Sequence, residues 1–211
     1  MAGEKRVSEE DWIIRAGERL EERVRGLSKL LDETVNGAAG VAWREVFRLC
    51  YDSLASGGKI ILFGNGGSAA DATHIAGEFT GRFLKNRRPL PAISLGVELA
   101  AVTAIANDFG FDEIFSRQMK ALARPGDIAI GLTTSGRSRN VLKALEAARK
   151  CGVKTVAFTG RKGLNEGRGE EADVVIAVPA RHPYEIQEVH KVLLHTLCEL
   201  LEERLTEGEA I

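Results

Sequence analysis

Lys59-Ile60-Ile61-Leu62-Phe63-Gly64-Asn65-Gly66-Gly67-Ser68 is the stretch that decides the fold. A short, uninterrupted apolar run enters a glycine-rich turn, and a helical pattern follows from Ser68 to Phe83. A strand that ends in such a turn and opens a helix aims bare backbone N–H groups and the positive end of the helix dipole at one spot, which suits an anion. Ser68, with Asp71 three residues on, has the form of an N-cap with its box partner. Behind the turn, His74 and Glu78 are four residues apart and so share a helix face.

Working outward, the same alternation recurs. Strand-like runs fall at Pro91–Leu95, Asp127–Leu132, Lys154–Thr159 and Asp173–Val178, in addition to Lys59–Phe63. Helical patterns fall between them at Glu98–Ala106, Asp112–Ala123 and Arg139–Lys150, and a last one at Tyr184–Leu205. Short β-branched runs without polar interruption suit strands buried on both faces. Their alternation with helices predicts an α/β fold, a mostly five-stranded parallel sheet between helical layers, with ligands beyond the carboxyl ends of the strands. Two helices are expected ahead of the sheet. One runs from about Ser8 to Leu31, with Ser8 and Asp11 as a capping box and Ile13, Leu20, Val24, Leu27 and Leu31 at helical spacing. The other runs from Gly40 to Ser56 and stops at Gly57-Gly58. The expected division is a helical arm over residues 1–56 and one sheet-containing unit over 57–211.

Composition narrows the class. With 211 residues and 44% hydrophobic content, the chain can bury a sizeable core. A formal net charge of −1 leaves no polybasic field for nucleic acid or a membrane surface, so neither is expected as a partner. The cluster Lys85, Arg87, Arg88 is short and reads as a solvated loop. Cys50, Cys151 and Cys198 are odd in number and far apart, which predicts no disulfide framework and a reducing, cytoplasmic location. The N-terminal Met1-Ala2-Gly3-Glu4-Lys5-Arg6 leads into no apolar leader segment, and no uncharged run approaches a membrane span.

The second polar loop, Thr133-Thr134-Ser135-Gly136-Arg137-Ser138, follows the strand Asp127–Leu132 and precedes a helix. Thr133, Thr134, Ser135 and Ser138 offer more hydroxyls than one helix cap requires, and hydroxyls with backbone N–H groups bind a phosphate monoester without a metal. Neither loop has the dinucleotide fingerprint or the Walker pattern, so nucleotide binding is disfavoured. On the last helix, Ile186, Val189, Leu193, Leu197 and Leu200 form an apolar stripe, and Gln187, His190 and His195 stand among them. Any one of these histidines is more readily a packed residue than a ligand, although two on one helix together with a glutamine raise the prospect of a site.

Taken together, Gly64-Asn65-Gly66-Gly67-Ser68, His74-x-x-x-Glu78, Thr80-Gly81-Arg82, Ala104-Ile105-Ala106-Asn107-Asp108-x-Gly110-Phe111, Thr134-Ser135-Gly136-x-Ser138 and Ile186-Gln187-Glu188-x-His190 occur in this order. That series resembles the bacterial phosphoheptose isomerases of the sugar-isomerase (SIS) domain family, over nearly the whole chain. The resemblance implies a three-layer, flavodoxin-like sandwich. It implies a homotetramer with active sites at subunit interfaces and interconversion of sedoheptulose 7-phosphate with D-glycero-D-manno-heptose 7-phosphate, the first step toward heptose precursors. By likeness, Asn65, Gly66, Gly67, Asn107 and Asp108 contact the sugar, and Ser68, Thr133, Thr134, Ser135 and Ser138 hold the phosphate. His74, Glu78, Gln187 and His195 match the ligands of one zinc per subunit, with Glu78 and His195 as the acid–base pair; Glu78 and Gln187 also touch substrate.

One geometric question stays open in the sequence. Gln187 and His195 are eight residues apart, roughly 12 Å of helical rise. They reach one ion by leaning toward each other, through a non-helical start near Gln187, or from different copies. Tyr184 and Glu185 depart from the family's usual pair before Ile186-Gln187, and Arg137 and Arg139 flank Ser138 where smaller residues are common. The alternatives are a non-catalytic SIS scaffold that binds the replication initiator protein and another sugar-phosphate enzyme of the domain family. That scaffold branch lacks the Glu and the late His, and this chain has both Glu78 and His195.

Overall fold

A computed structural model of the chain describes residues 8–164 and 172–207; the stretch Met1 to Arg6 lies outside them. The sheet has five strands, β1 (Ile60–Gly64), β2 (Ala92–Ser94), β3 (Ile128–Thr133), β4 (Lys154–Gly160) and β5 (Val174–Val178). They lie in the order β2-β1-β3-β4-β5, and every pair is parallel. The order reverses between β1 and β3, so the loops leaving these two strands diverge and open a crevice at their carboxyl ends. Those loops are the glycine turn and the hydroxyl loop.

Alternation along the strands divides the core. Ile60 and Leu62 of β1, Ile130 of β3 and Phe158 of β4 face one layer of helices, made by α2 (Ala38–Ala55), α3 (Gly67–Thr80) and α7 (Pro183–Leu205). Ile61, Phe63, Ala129 and Ala157 face the other layer, built from α4 (Leu99–Phe109), α5 (Ile114–Leu122) and α6 (Arg139–Lys150). Burying both faces accounts for the uninterrupted apolar strands. Helix α2 is part of the first layer, with Val46, Leu49, Cys50 and Leu54 in the same core as the sheet.

Helix α1 (Glu9–Asn36) starts at the expected box, where the Asp11 N–H donates to Ser8 Oγ at 3.1 Å and the Ser8 N–H to Asp11 Oδ2 at 3.2 Å. It runs past Leu31 to Asn36, and Gly37 alone separates it from α2. Leu27, Leu30 and Leu31 pack on the core, whereas Trp12, Ile13, Ile14, Leu20 and Val24 are exposed.

Several local expectations change. Ser68 is not an N-cap: Gly66, at φ 55°, ends the turn, and Ser68 sits buried inside the first turn of α3. Only glycine enters that positive-φ position without strain. Helix α3 ends at Thr80 rather than Phe83, and α7 is continuous through Gln187, which removes a helix break as the means of bringing Gln187 to His195. The expected helix over Asp112–Ala123 begins as a 3-10 turn (Phe111–Glu113) before α5. Arg87 is not a solvated loop residue. Its side chain is 1% exposed and meets the equally buried Glu202 of α7, Nε to Oε1 at 2.9 Å. The sequence hides this pairing because the two residues are 115 positions apart.

Candidate active site

The glycine turn and the hydroxyl loop are tied to each other. Asn65 and Asn140 exchange two hydrogen bonds, Asn65 Nδ2 to Asn140 Oδ1 at 2.9 Å and Asn140 Nδ2 to Asn65 Oδ1 at 2.8 Å. Asn65, expected as a sugar contact, therefore uses its carboxamide to join the two loops. Asn140 was not foreseen. Its one sequence signal is an amide in the first turn of an otherwise apolar helix face beside the loop.

In the hydroxyl loop, Thr133 is buried with its Oγ1 3.1 Å from Ser138 Oγ, and Ser135 Oγ accepts the Arg137 N–H at 3.2 Å. Ser138 is the N-cap residue of α6, yet its hydroxyl makes no capping bond; in the first turn the Val141 N–H is taken by Asn140 Oδ1 at 2.9 Å. Gly136 has φ 67°, and a Cβ there would lie 1.9 Å from the Gly163 carbonyl oxygen. A cavity of about 260 Å³ beside the loop is lined by Thr134, Ser135, Arg137, Arg161, Lys162 and Arg181 among others. A second cavity, about 490 Å³, lies between α1 and the start of α7 and includes none of the expected site residues. Chemistry rather than volume therefore locates the site.

The titratable residues meet along the seam between α3 and α7. Both helices return from the sheet on the same face, so Gln187 comes against Gly67 at the beginning of the seam and His195 against His74 further along. His74 Nε2 lies 2.9 Å from His195 Nε2 and 3.4 Å from Glu78 Oε1. One ligand atom from each of His74, Glu78 and His195 falls within 4.8 Å of the others. This trio is a possible metal-binding group, and the donor set fits a small divalent ion. A tetrahedral ion with bonds of about 2.0–2.1 Å holds two nitrogens roughly 3.4 Å apart, a small opening of the imidazole pair.

Partial burial, then the neighbouring His74, lowers the basicity of His195, with Glu78 opposing them. Phe83 stacks on the His195 ring, centroids 5.5 Å apart. His190, on another side of α7, is buried, its Nε2 3.2 Å from the Thr159 carbonyl oxygen and its ring against Phe158. Desolvation pushes its pKa down to about 4. It is a packed neutral histidine and does not join the trio.

Gln187 lies at the first turn of α3, where its Nε2 would be 2.6 Å from a Cβ on Gly67. Gly67 is glycine so that the carboxamide can approach the turn. Glu185 has a local role: with His182 it forms a capping box, the His182 N–H reaching Glu185 Oε2 at 3.3 Å. Tyr184 lies beneath the Arg23 guanidinium, 4.0 Å away. Asn107 and Asp108 stand exposed on the last turn of α4, bonded to each other at 2.8 Å, and are not brought to the trio by any hydrogen bond.

A parallel sheet with two anion-suited loops at its switch point, and an imidazole–carboxylate group beside them, defines a SIS-type phosphosugar domain. The sequence matches the SIS domain over residues 26–160. It is 52% identical over 164 residues to the phosphoheptose isomerase of Thermodesulfovibrio yellowstonii, covering 78% of this chain and 81% of that one. It is 53% identical over 155 residues to that of Aquifex aeolicus, covering 74% and 80%. Among solved structures, the phosphoheptose isomerase GmhA from Neisseria gonorrhoeae superimposes with a TM-score of 0.79 at 35% identity, covering 89% of this chain and 99% of that one. The phosphoheptose isomerase from Francisella tularensis gives 0.82 at 31%, covering 90% and 99%. The chain belongs to the phosphoheptose isomerase family.

Proposed function

We propose that this chain is an aldose–ketose isomerase that interconverts sedoheptulose 7-phosphate and D-glycero-D-manno-heptose 7-phosphate. The observation that carries the reading is the approach of the Glu78 carboxylate and the His195 imidazole across the α3–α7 seam, within 4.8 Å of each other. Moving a carbonyl between C2 and C1 requires a proton to leave one carbon and return to the other, through an enediol. A carboxylate suits the carbon-bound proton and an imidazole suits the transfer between O1 and O2. Glu78 takes the proton from C1 of the ketose and returns it to C2. His195, kept from full protonation near neutrality by burial and His74, accepts from the O1 hydroxyl and donates to O2.

Ser68, Thr133, Thr134, Ser135 and Ser138 are the proposed phosphate contacts. Holding the phosphate remotely fixes the register of the reacting carbons. Asn65, Gly66 and Gly67 bring backbone close to the sugar, and Gln187 is placed to touch it beside Gly67. Asn107 and Asp108 remain proposed sugar contacts. His74, Glu78 and His195 would hold zinc, with Gln187 as the fourth candidate ligand. When bound, the ion would polarise the carbonyl and stabilise negative charge on the enediolate oxygens.

The proposed assembly is a homotetramer with active sites at subunit boundaries. Support comes from the exposed apolar side chains of α1, and from Leu99, Phe109 and Phe111 at the ends of α4, which ask for cover. Among the described residues no helix is long and apolar enough to cross a membrane, and the proposed location is the cytoplasm.

The test is incubation with sedoheptulose 7-phosphate and identification of the aldose product by NMR. Formation of the heptose phosphate supports the reading. Absence of turnover, with and without added zinc, overturns it.

A further inference from the structure

Arg87 and Glu202 are the most deeply buried ion pair described, and neither touches the proposed substrate. Replacing such a pair by apolar side chains is often neutral or stabilising, so its burial needs another explanation than stability. Its hydrogen bonds supply one. Glu202 Oε1 accepts from the Phe83 N–H at 3.0 Å as well as from Arg87, and Oε2 accepts from the N–H groups of Leu84 at 2.7 Å and Lys85 at 2.9 Å. Arg87 in turn donates to the carbonyls at the end of α3, Nη2 to Glu78 at 2.8 Å and Nη1 to Phe79 at 2.8 Å. These carbonyls have no helical partners, because α3 stops at Thr80.

The pair therefore clamps the strap after α3 onto α7, and both halves of the acid–base group hang from the clamp. Glu78 is held by its own carbonyl. Glu202 lies seven residues after His195, about two turns along the same face of α7. Phe83, whose N–H is fixed by Glu202, lays its ring on His195 with planes 27° apart.

We infer that Arg87 and Glu202 are positioning residues that set the separation between the Glu78 carboxylate and the His195 imidazole. The inference rests on the proposed isomerase reading for its kinetic consequence, but not for its geometric one. Glu202→Gln keeps the shape while turning one acceptor into a donor that faces backbone N–H groups. The expected result is a kcat lower by about 10- to 100-fold, with KM for the sugar phosphate unchanged, since misplacement of reacting groups by about 1 Å costs that much. Phe83→Leu leaves the ion pair in place and removes only the stacked ring; a kcat loss of about tenfold at unchanged KM is expected there too.

Crystal structures of wild type and both variants supply a readout independent of turnover, in which the Glu78–His195 separation should widen or become heterogeneous. A folded Glu202→Gln with wild-type kcat, or with the wild-type separation, overturns the inference. If Glu202→Gln does not fold, unchanged kcat and unchanged geometry in Phe83→Leu overturn it. If the wild-type chain turns over no sugar phosphate, the functional reading fails, and the crystallographic comparison still decides this one.

Discussion

The two halves of the site are built by different means. The proposed phosphate half consists of two short loops, each turning on a positive-φ glycine, Gly66 or Gly136. The proposed proton-transfer half lies on the flanks of two helices, and its nearest contact joins residues 121 positions apart. An anion can be held by backbone N–H groups and hydroxyls that a local turn already gathers. Proton transfer needs side chains of chosen basicity at a fixed distance, and only packing of distant elements provides that. On the proposed roles, binding and chemistry rest on different kinds of structure, and so should be separately breakable.

The sharpest way to break that division is Glu78→Gln. A kcat loss of about 1000-fold or more is expected with KM for sedoheptulose 7-phosphate changed only slightly, because general acid–base groups contribute on this scale. Steady-state kinetics on the variant checks it, and a large KM effect with preserved kcat would erase the distinction between the halves.

His190 separates structure from chemistry on the same helix. Its folded pKa of about 4 lies below the unfolded value of 6.5, so the unfolded chain binds the proton first as pH falls. The stability it contributes is complete above about pH 6.5 and is lost as pH falls toward 4, amounting to about 3 kcal/mol. Urea unfolding of wild type and His190→Gln across that range should show a shallower acid decline in the variant. Equal declines would place the acid sensitivity elsewhere.

In the loop half, Ser138→Ala should raise KM by roughly tenfold at little cost in kcat, the scale of one hydrogen bond to a charged group. Gly67→Ala is the mildest and the most diagnostic. Its new Cβ meets only the end of the Gln187 side chain, at 2.6 Å, so the carboxamide moves and the fold persists. A KM increase of about two- to fivefold with an unchanged melting temperature is expected, since only one polar contact is disturbed. A fall in kcat alone would move Gln187 from the binding half to the chemical half.

The same contrast governs what could be read in advance. All five strands are visible as apolar runs, and the loops announce themselves through glycine and hydroxyl content, because these features depend on neighbours in sequence. His74 and Glu78 are legible as a helical pair for the same reason. His195 joins them only through the resemblance to known isomerases; of the three routes its spacing from Gln187 leaves open, the continuous α7 removes the helix break. Arg87 reads as part of a short basic loop, whereas its surroundings are set by Glu202, 115 positions away. Asn140 is not legible in advance, because its partner Asn65 lies 75 positions away. Misreadings thus gather where a polar side chain is satisfied by a distant residue.

The reciprocal Asn65–Asn140 bond has one more consequence. Each carboxamide donates and accepts, so the turn after β1 is tied directly to the first turn of α6, which the hydroxyl loop opens. On the proposed roles, the phosphate is held at these loops and the acid–base group lies on α3 and α7, so the length of the sugar between them becomes a selective feature. The expected outcome is that a shorter sugar phosphate fills the proposed anchor with its carbonyl short of Glu78, and so competes for binding without being turned over.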